Sequence, residues 1–221
     1  MEQNMKSTSN TGYFVGRLLD ELPNQKPLLA IFDSQYESYK VGFDFKTVEL
    51  AFDRLKDEIR ELNEAFGELS QNPSEAEIKN LCDEAIDIVF GLINVSRHMG
   101  IERERILFLK NKALFTKKVG TEENVALIQK LFNQYEENFS SRDKDAMFIT
   151  AQKLFAQISY LVETYNLDLD EAIKSNVAKY LKRCNFIEEN LKGRNLKWTD
   201  VSLEEIYKLW KDAKTALKNE N

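Results

Sequence analysis

An all-α helical bundle follows from three features of the sequence. Gly and Pro number only 8 and 3 in 221 residues, while Leu, Ile, Ala, Glu and Lys abound, which favours long helices over many short strands. Apolar residues recur at the three- and four-residue spacing of a helix face along most of the chain. Ser74 with Glu77, Asp168 with Glu171 and Ser202 with Glu205 each supply the capping pair that opens a helix.

Residues 1–11, rich in Ser, Thr and Asn, read as a disordered lead-in. Tyr13–Leu22 and Pro27–Val41 have helical spacing and are split by Pro23-Asn24; Pro27 suits a first helical turn. Gly42-Phe43-Asp44-Phe45 forms a turn. A helix over 47–69 carries Phe52, Leu55, Ile59, Leu62, Phe66 and Leu69 as one stripe. After the Asn72-Pro73 loop, the next helix runs to Met99 and is apolar round most of its circumference. A third helix is expected over 102–118, ending in Lys110, Lys112, Lys117 and Lys118, a basic cluster suited to a helix C-terminus. Helices over 121–139, 145–166 and 168–190 follow. The last, over 203–218, has Ile206, Leu209, Trp210, Ala213 and Leu217 on one face.

The net charge of -6 argues against a surface that coats nucleic acid, which needs a basic excess. No apolar run reaches the ~20 residues of a membrane span, and the N-terminus lacks the apolar core of a signal peptide. A cytoplasmic protein with no membrane partner is the expectation. Cys82 and Cys184 match no disulfide framework, and Cys82 reads as a reduced core thiol.

Two carboxylate pairs carry the chemistry. Glu58 and Glu61 lie three apart on one helix, Glu84 and Asp87 three apart on the next, and that spacing puts each pair on one face. The wheel places Glu58 at the edge of the apolar stripe and Glu61 one step further round, whereas Asp57 and Glu64 point away and read as solvated. Glu84, Asp87, Gly91 and Asn94 form a narrow polar stripe on an otherwise apolar helix. Bare carboxylates there are costly to desolvate, and a divalent cation removes the cost. Oxygen ligands beside open space suit Mg²⁺, with Mn²⁺ as an alternative.

The second half reads as a worn copy of the first, giving two tandem helical units. Residues 91–117 pair without gaps with 157–183, apolar on apolar for most of the length. In that register Thr150 stands opposite Glu84 and Lys153 opposite Asp87, so the second unit lacks the acidic motif. The organisation expected is a catalytic half over 12–119 and a degenerate half over 120–221, packed as one globular unit.

The sequence resembles the MazG family of all-α nucleoside triphosphate pyrophosphohydrolases. LKDEIRE at 55–61 resembles the family's ExxE helix and LCDEAIDIVF at 81–90 its ExxD helix, with 22 residues between Glu61 and Glu84. The segment LLDELPNQKPLLAIFDSQYESYKVGFDF, the Gly100-Ile101 pair, Asn111 and the tail NLKWTDVSLEEIYKLWKDAK are similar to MazG as well. The resemblance spans nearly the whole chain apart from a block near 119–178. It departs from the family's basic residues: Asn111 is followed by Lys112 and Ala113, and Lys117 stands at the Arg position. Asn176, Lys179 and Arg183 in the second half lie one residue out of register.

The resemblance implies Mg²⁺-dependent hydrolysis of a nucleoside triphosphate to the monophosphate and pyrophosphate. Glu58, Glu61, Glu84 and Asp87 are the expected ligands; Glu61, with Glu58, is the expected catalytic carboxylate that orients or deprotonates water. Lys40, Asn94, Asn111, Lys112, Lys117, Lys179 and Arg183 are the candidate substrate contacts. A homodimer, or a monomer acting as an internal pseudo-dimer, is expected. The alternatives are a related hydrolase of narrow specificity, for dUTP or phosphoribosyl-ATP, and a non-catalytic helical interaction module. His98 reads as structural, because no Glu precedes it by three as in a di-iron bundle. Phe43, Phe45 and Trp210 read first as core and second as base-stacking rings.

Overall fold

The side chains that cap the helices set where they begin. In a computed structural model, which describes residues 13–43, 45–110 and 118–218 (the Lys218 side chain excepted), Thr47 Oγ1 accepts from the Leu50 amide and opens α3, Val48–Gln71. Ser74 accepts from Glu77 and opens α4, Glu75–His98. Asp143 opens α6, Lys144–Thr164, and Asp168 opens α7, Leu169–Gly193, by the same bond three residues on. Ser202 does so for α8, Leu203–Lys218. The remaining helices are α1, Val15–Glu21, α2, Pro27–Lys40, and α5, Thr121–Ser140. The described residues contain no strand, and none of their helices is long and apolar enough to cross a membrane.

One turn closes five of these helices. Gly42, Gly100, Arg142, Asn166 and Asn195 have positive φ, and the amide after each bonds the carbonyl five residues back, as in Phe43 N to Ser38 O at 2.8 Å and Ile101 N to Ser96 O at 2.9 Å. Gly100 and Asn166 occupy matched places in the gapless register. Because the same turn also ends α2, α5 and α7, that match alone does not mark a repeat.

The expected α-helix over 102–118 takes another form. Arg103–Lys110 is a 3₁₀ helix that buries Ile106 and Leu109, residues three apart, as suits three residues per turn. Residues 111–117, and with them Asn111, Lys112 and Lys117, lie outside the described residues, as does the lead-in over 1–11.

Short loops force α3 against α4 and α5 against α6 as two antiparallel hairpins. The hairpins join along α3 and α5. Ascending α3 through Phe52, Lys56 and Asn63, the partners on α5 descend through Phe139, Glu136 and Gln129, so this pair is antiparallel too. The Phe52 and Phe139 rings stack at 4.0 Å. Helix α4 lies centrally, with α2, α6 and α7 also against it, and its Leu81, Ile88, Leu92 and Ile93 are fully buried. Where α3 meets α4, a Cβ on Gly91 would stand 2.7 Å from Leu55 Cδ1, so a side chain there would make Leu55 shift.

The short α1 is tied down by a buried charge. Glu188 of α7, 1% exposed, accepts from the amides of Phe14 and Val15 at 2.8 and 3.3 Å and from Trp198 Nε1 at 3.2 Å. The open amides of a helix start satisfy the carboxylate without a cation. Cys82 and Cys184 are buried and free, as expected of core thiols.

Candidate metal and ligand site

Glu58 of α3 and Glu84 and Asp87 of α4 each offer an oxygen within 4.8 Å of the others. Each lies on its helix where the wheel predicted, and the close approach at Gly91 brings the two faces together. Glu58 is 6% exposed. Among the described residues, Glu58 Oε2 and Glu84 Oε2 are buried with no hydrogen-bond partner. A carboxylate left so is costly in a folded core, and the raised pKa values follow from it. Burial, then the charge of Asp87, pushes Glu58 up to about 8 against the pull of Arg54. Burial and Asp87 push Glu84 up to about 7. Burial and Asp83 push Asp87 up to about 6, opposed by Arg54, Lys179 and Arg183.

Glu61 stands beside this trio rather than within it. Its carboxylate meets Arg54 Nη1 at 3.4 Å and Arg60 Nη2 at 3.5 Å, while its charge still raises Glu58 and Glu84. Asp57 and Glu64 are exposed, as their place on the wheel requires. Arg54 is the residue the sequence reading passed over. Its Nε donates to Glu58 Oε1 at 2.8 Å, so one Glu58 oxygen is held by a cation and the other is turned inward. The spacing of 54, 58 and 61 on one face was the available signal.

Beside the acids opens a pocket of about 260 Å³. Glu58, Asp87 and Arg54 contribute to its wall, together with Phe43, Phe45, Phe90, Tyr180, Tyr207 and Trp210, and with Ser34, Gln35 and Asn94. An apolar, ring-lined cleft with a few polar groups and an acidic cluster at its wall has the composition of a ligand site. Phe43 is core, as expected, buried against Trp198 and Trp210 at 5.4 and 5.3 Å, and it also lines the pocket. Trp198 is structural, 1% exposed and bonded to Glu188.

The predicted substrate contacts divide. Asn94 lines the pocket and its Oδ1 accepts from Arg97 at 3.0 Å. Lys179 and Arg183 of α7 face α4: Lys179 Nζ donates to Asp83 at 3.0 Å, and the Arg183 guanidinium lies 5.5 Å from the Trp210 ring with its charge felt at Asp87. Lys40 does not join them. It bonds Glu37 at 3.1 Å and covers the Tyr36 ring at 4.4 Å, and it is not part of the pocket wall. His98 packs edge-on to Tyr39 at 6.0 Å and pairs with Arg97 at 3.1 Å, a structural place.

The donor set fits a hard divalent cation: three clustered carboxylates, two with buried oxygens that meet no protein donor. No protein-family model, curated protein or solved structure matches this chain. The site's own geometry therefore carries the functional reading.

Proposed function

We propose that the chain is a Mg²⁺-dependent nucleoside triphosphate pyrophosphohydrolase of MazG-like type, releasing a nucleoside monophosphate and pyrophosphate. The observation that carries this reading is the carboxylate trio with its two orphaned oxygens, the trio's Glu58 and Asp87 reaching the wall of an aromatic pocket. A lone acidic cluster would suit many roles; joined to rings that can hold a planar base, it suits a ligand with a base at one end and phosphates at the other.

Glu58, Glu84 and Asp87 would hold the metal, Mg²⁺ or Mn²⁺. Bound there, it supplies charge neutralisation for the triphosphate and acidifies a water. Arg54 holds the outer oxygen of Glu58 and so aims the inner one. Glu61, beside the trio and not within it, is placed to accept a proton from the attacking water, whose oxygen joins the α-phosphorus as the bridging oxygen leaves with pyrophosphate. Lys179 and Arg183 supply positive charge from across α7, where their present partners are carboxylates of α4 that a metal-borne phosphate can replace.

The tandem-unit reading belongs to this proposal. On this reading the two hairpins, joined along an antiparallel α3–α5 seam, would be the two halves of an internal pair. The second unit brings α7 and its cations to the acids of the first, which makes a monomer sufficient for one site.

The test is pyrophosphate release from a panel of nucleoside triphosphates and their deoxy counterparts, with and without Mg²⁺. Metal-dependent release that Asp87→Asn abolishes supports the reading. A folded protein that binds Mn²⁺ but turns over none of the panel overturns it.

A further inference from the structure

Gln35 of α2 is more than nine-tenths buried, and its side chain is fixed at one end only. Its Nε2 donates to the Phe90 carbonyl at 3.0 Å. A carbonyl can only accept, so this bond settles which end of the amide is nitrogen and leaves Oε1 as the other. Oε1 is buried with no hydrogen-bond partner among the described residues, and Gln35 forms part of the pocket wall.

Apart from the acids, the polar side chains nearest it on α2 and α3 are committed. Ser34 Oγ donates to Ile31 O at 2.8 Å, and Ser38 Oγ bonds Ser34 O at 2.9 Å and the Tyr180 hydroxyl at 2.5 Å. Arg54 is held by Glu58 and Glu61. Gln35 shares the wall with the rings of Phe45, Phe90, Tyr180, Tyr207 and Trp210. Its Oε1 is covered by neighbouring side chains, so a ligand meets it when one of them turns aside, and the atom then gains its first hydrogen bond. The ligand feature that complements it is an N–H on the edge of a flat aromatic ring.

We propose that Gln35 Oε1 reads the base of the nucleotide by accepting a hydrogen bond from an amino or imide N–H on the base edge. The inference rests on the nucleotide reading above and adds to it the selecting atom and the feature selected. A ring of the same shape without that N–H leaves the acceptor buried and unpaired, which is how a polar site rejects an isostere.

The experiment is calorimetric binding with Ca²⁺ in place of Mg²⁺, using matched triphosphates that lose the N–H without gaining bulk. The amino arm compares ATP with purine riboside triphosphate and CTP with zebularine triphosphate; the imide arm compares UTP with 3-deazauridine triphosphate. In the wild type, at least one parent is expected to bind about tenfold tighter than its analogue. In Gln35→Met, of similar length and apolar, that preference is expected to fall to about twofold or less while the analogue binds as before. The arm that shows the preference identifies the donor as amino or imide. An equal preference in wild type and variant overturns the role of Gln35 and leaves the nucleotide reading standing. Failure of every triphosphate to bind, while Mn²⁺ alone still binds, overturns both. Should Gln35→Met not fold, Gln35→Asn withdraws the acceptor by one methylene, and the same loss of preference is required of it.

Discussion

At the middle of α4, Glu84 and Asp87 face Glu58 on α3, and two buried oxygens there meet no protein donor. At the matching register of α6 stands Thr150, 2% exposed, whose hydroxyl donates to Ala146 O at 2.8 Å and accepts from Asn138 at 3.0 Å. Both hairpins close on comparable apolar surfaces, yet one fills its polar position with a satisfied neutral group and the other with strained charge. A neutral pair is enough to hold two helices together. Carboxylates in the same place carry a desolvation cost that works against the fold. On the proposed reading, that difference separates what the architecture needs from what the site needs.

That contrast can be broken at several points. The largest effect is expected from Asp87→Asn or Glu84→Gln, which should lower Mg²⁺-dependent pyrophosphate release at least about a hundredfold. Lys153→Met at the matched place in α6 should leave the rate within about twofold, a test of whether only one unit is active. Next comes Arg183→Ala, expected to cut kcat/KM by about ten- to a hundredfold, measured by steady-state kinetics, with the metal affinity of the substrate-free protein little changed.

Stability should move the other way. The folded-state pKa values of Glu58, Glu84 and Asp87 are raised from ordinary values of 4.5, 4.5 and 3.8 to about 8, 7 and 6. Below about pH 4 these groups are protonated folded or unfolded and favour the fold fully. As pH rises toward 8 the unfolded chain gives up these protons first, so the metal-free protein should lose stability across that window. Glu58→Gln should therefore raise the metal-free unfolding free energy by roughly 1–3 kcal/mol at pH 8 and by almost nothing at pH 4, read by urea titration at both. Added Mg²⁺ should recover the loss in the wild type and do less for the variant. The smallest effect is Thr150→Val, which removes two bonds from α6 and should cost ~1 kcal/mol in the same titration without touching the rate.

Much of this was open to inspection in the sequence, for reasons that differ residue by residue. The caps at Thr47, Ser74, Asp168 and Ser202 are local chemistry, and the helices after them begin where they were expected. Glu58, Glu84 and Asp87 were legible because a wheel turns spacing into a face. Arg54 lay on the same face, but weighing acids alone hid it. The segment after Gly100 was expected as an α-helix because its apolar residues also suit period three, and spacing that short does not separate the two helix types. Gln35 could not be read at all. Its meaning depends on a carbonyl 55 residues away and on rings from α4, α7 and α8, which only the packed chain gathers.

Gly91 lies one turn beyond Asp87 on the helix that carries it, and a methyl group there would strike Leu55 at 2.7 Å, one turn before Glu58. The missing atom is a notch that lets the two helices seat against one another: Gly91→Ala would make the Leu55 side chain shift, one turn from the acids on either helix.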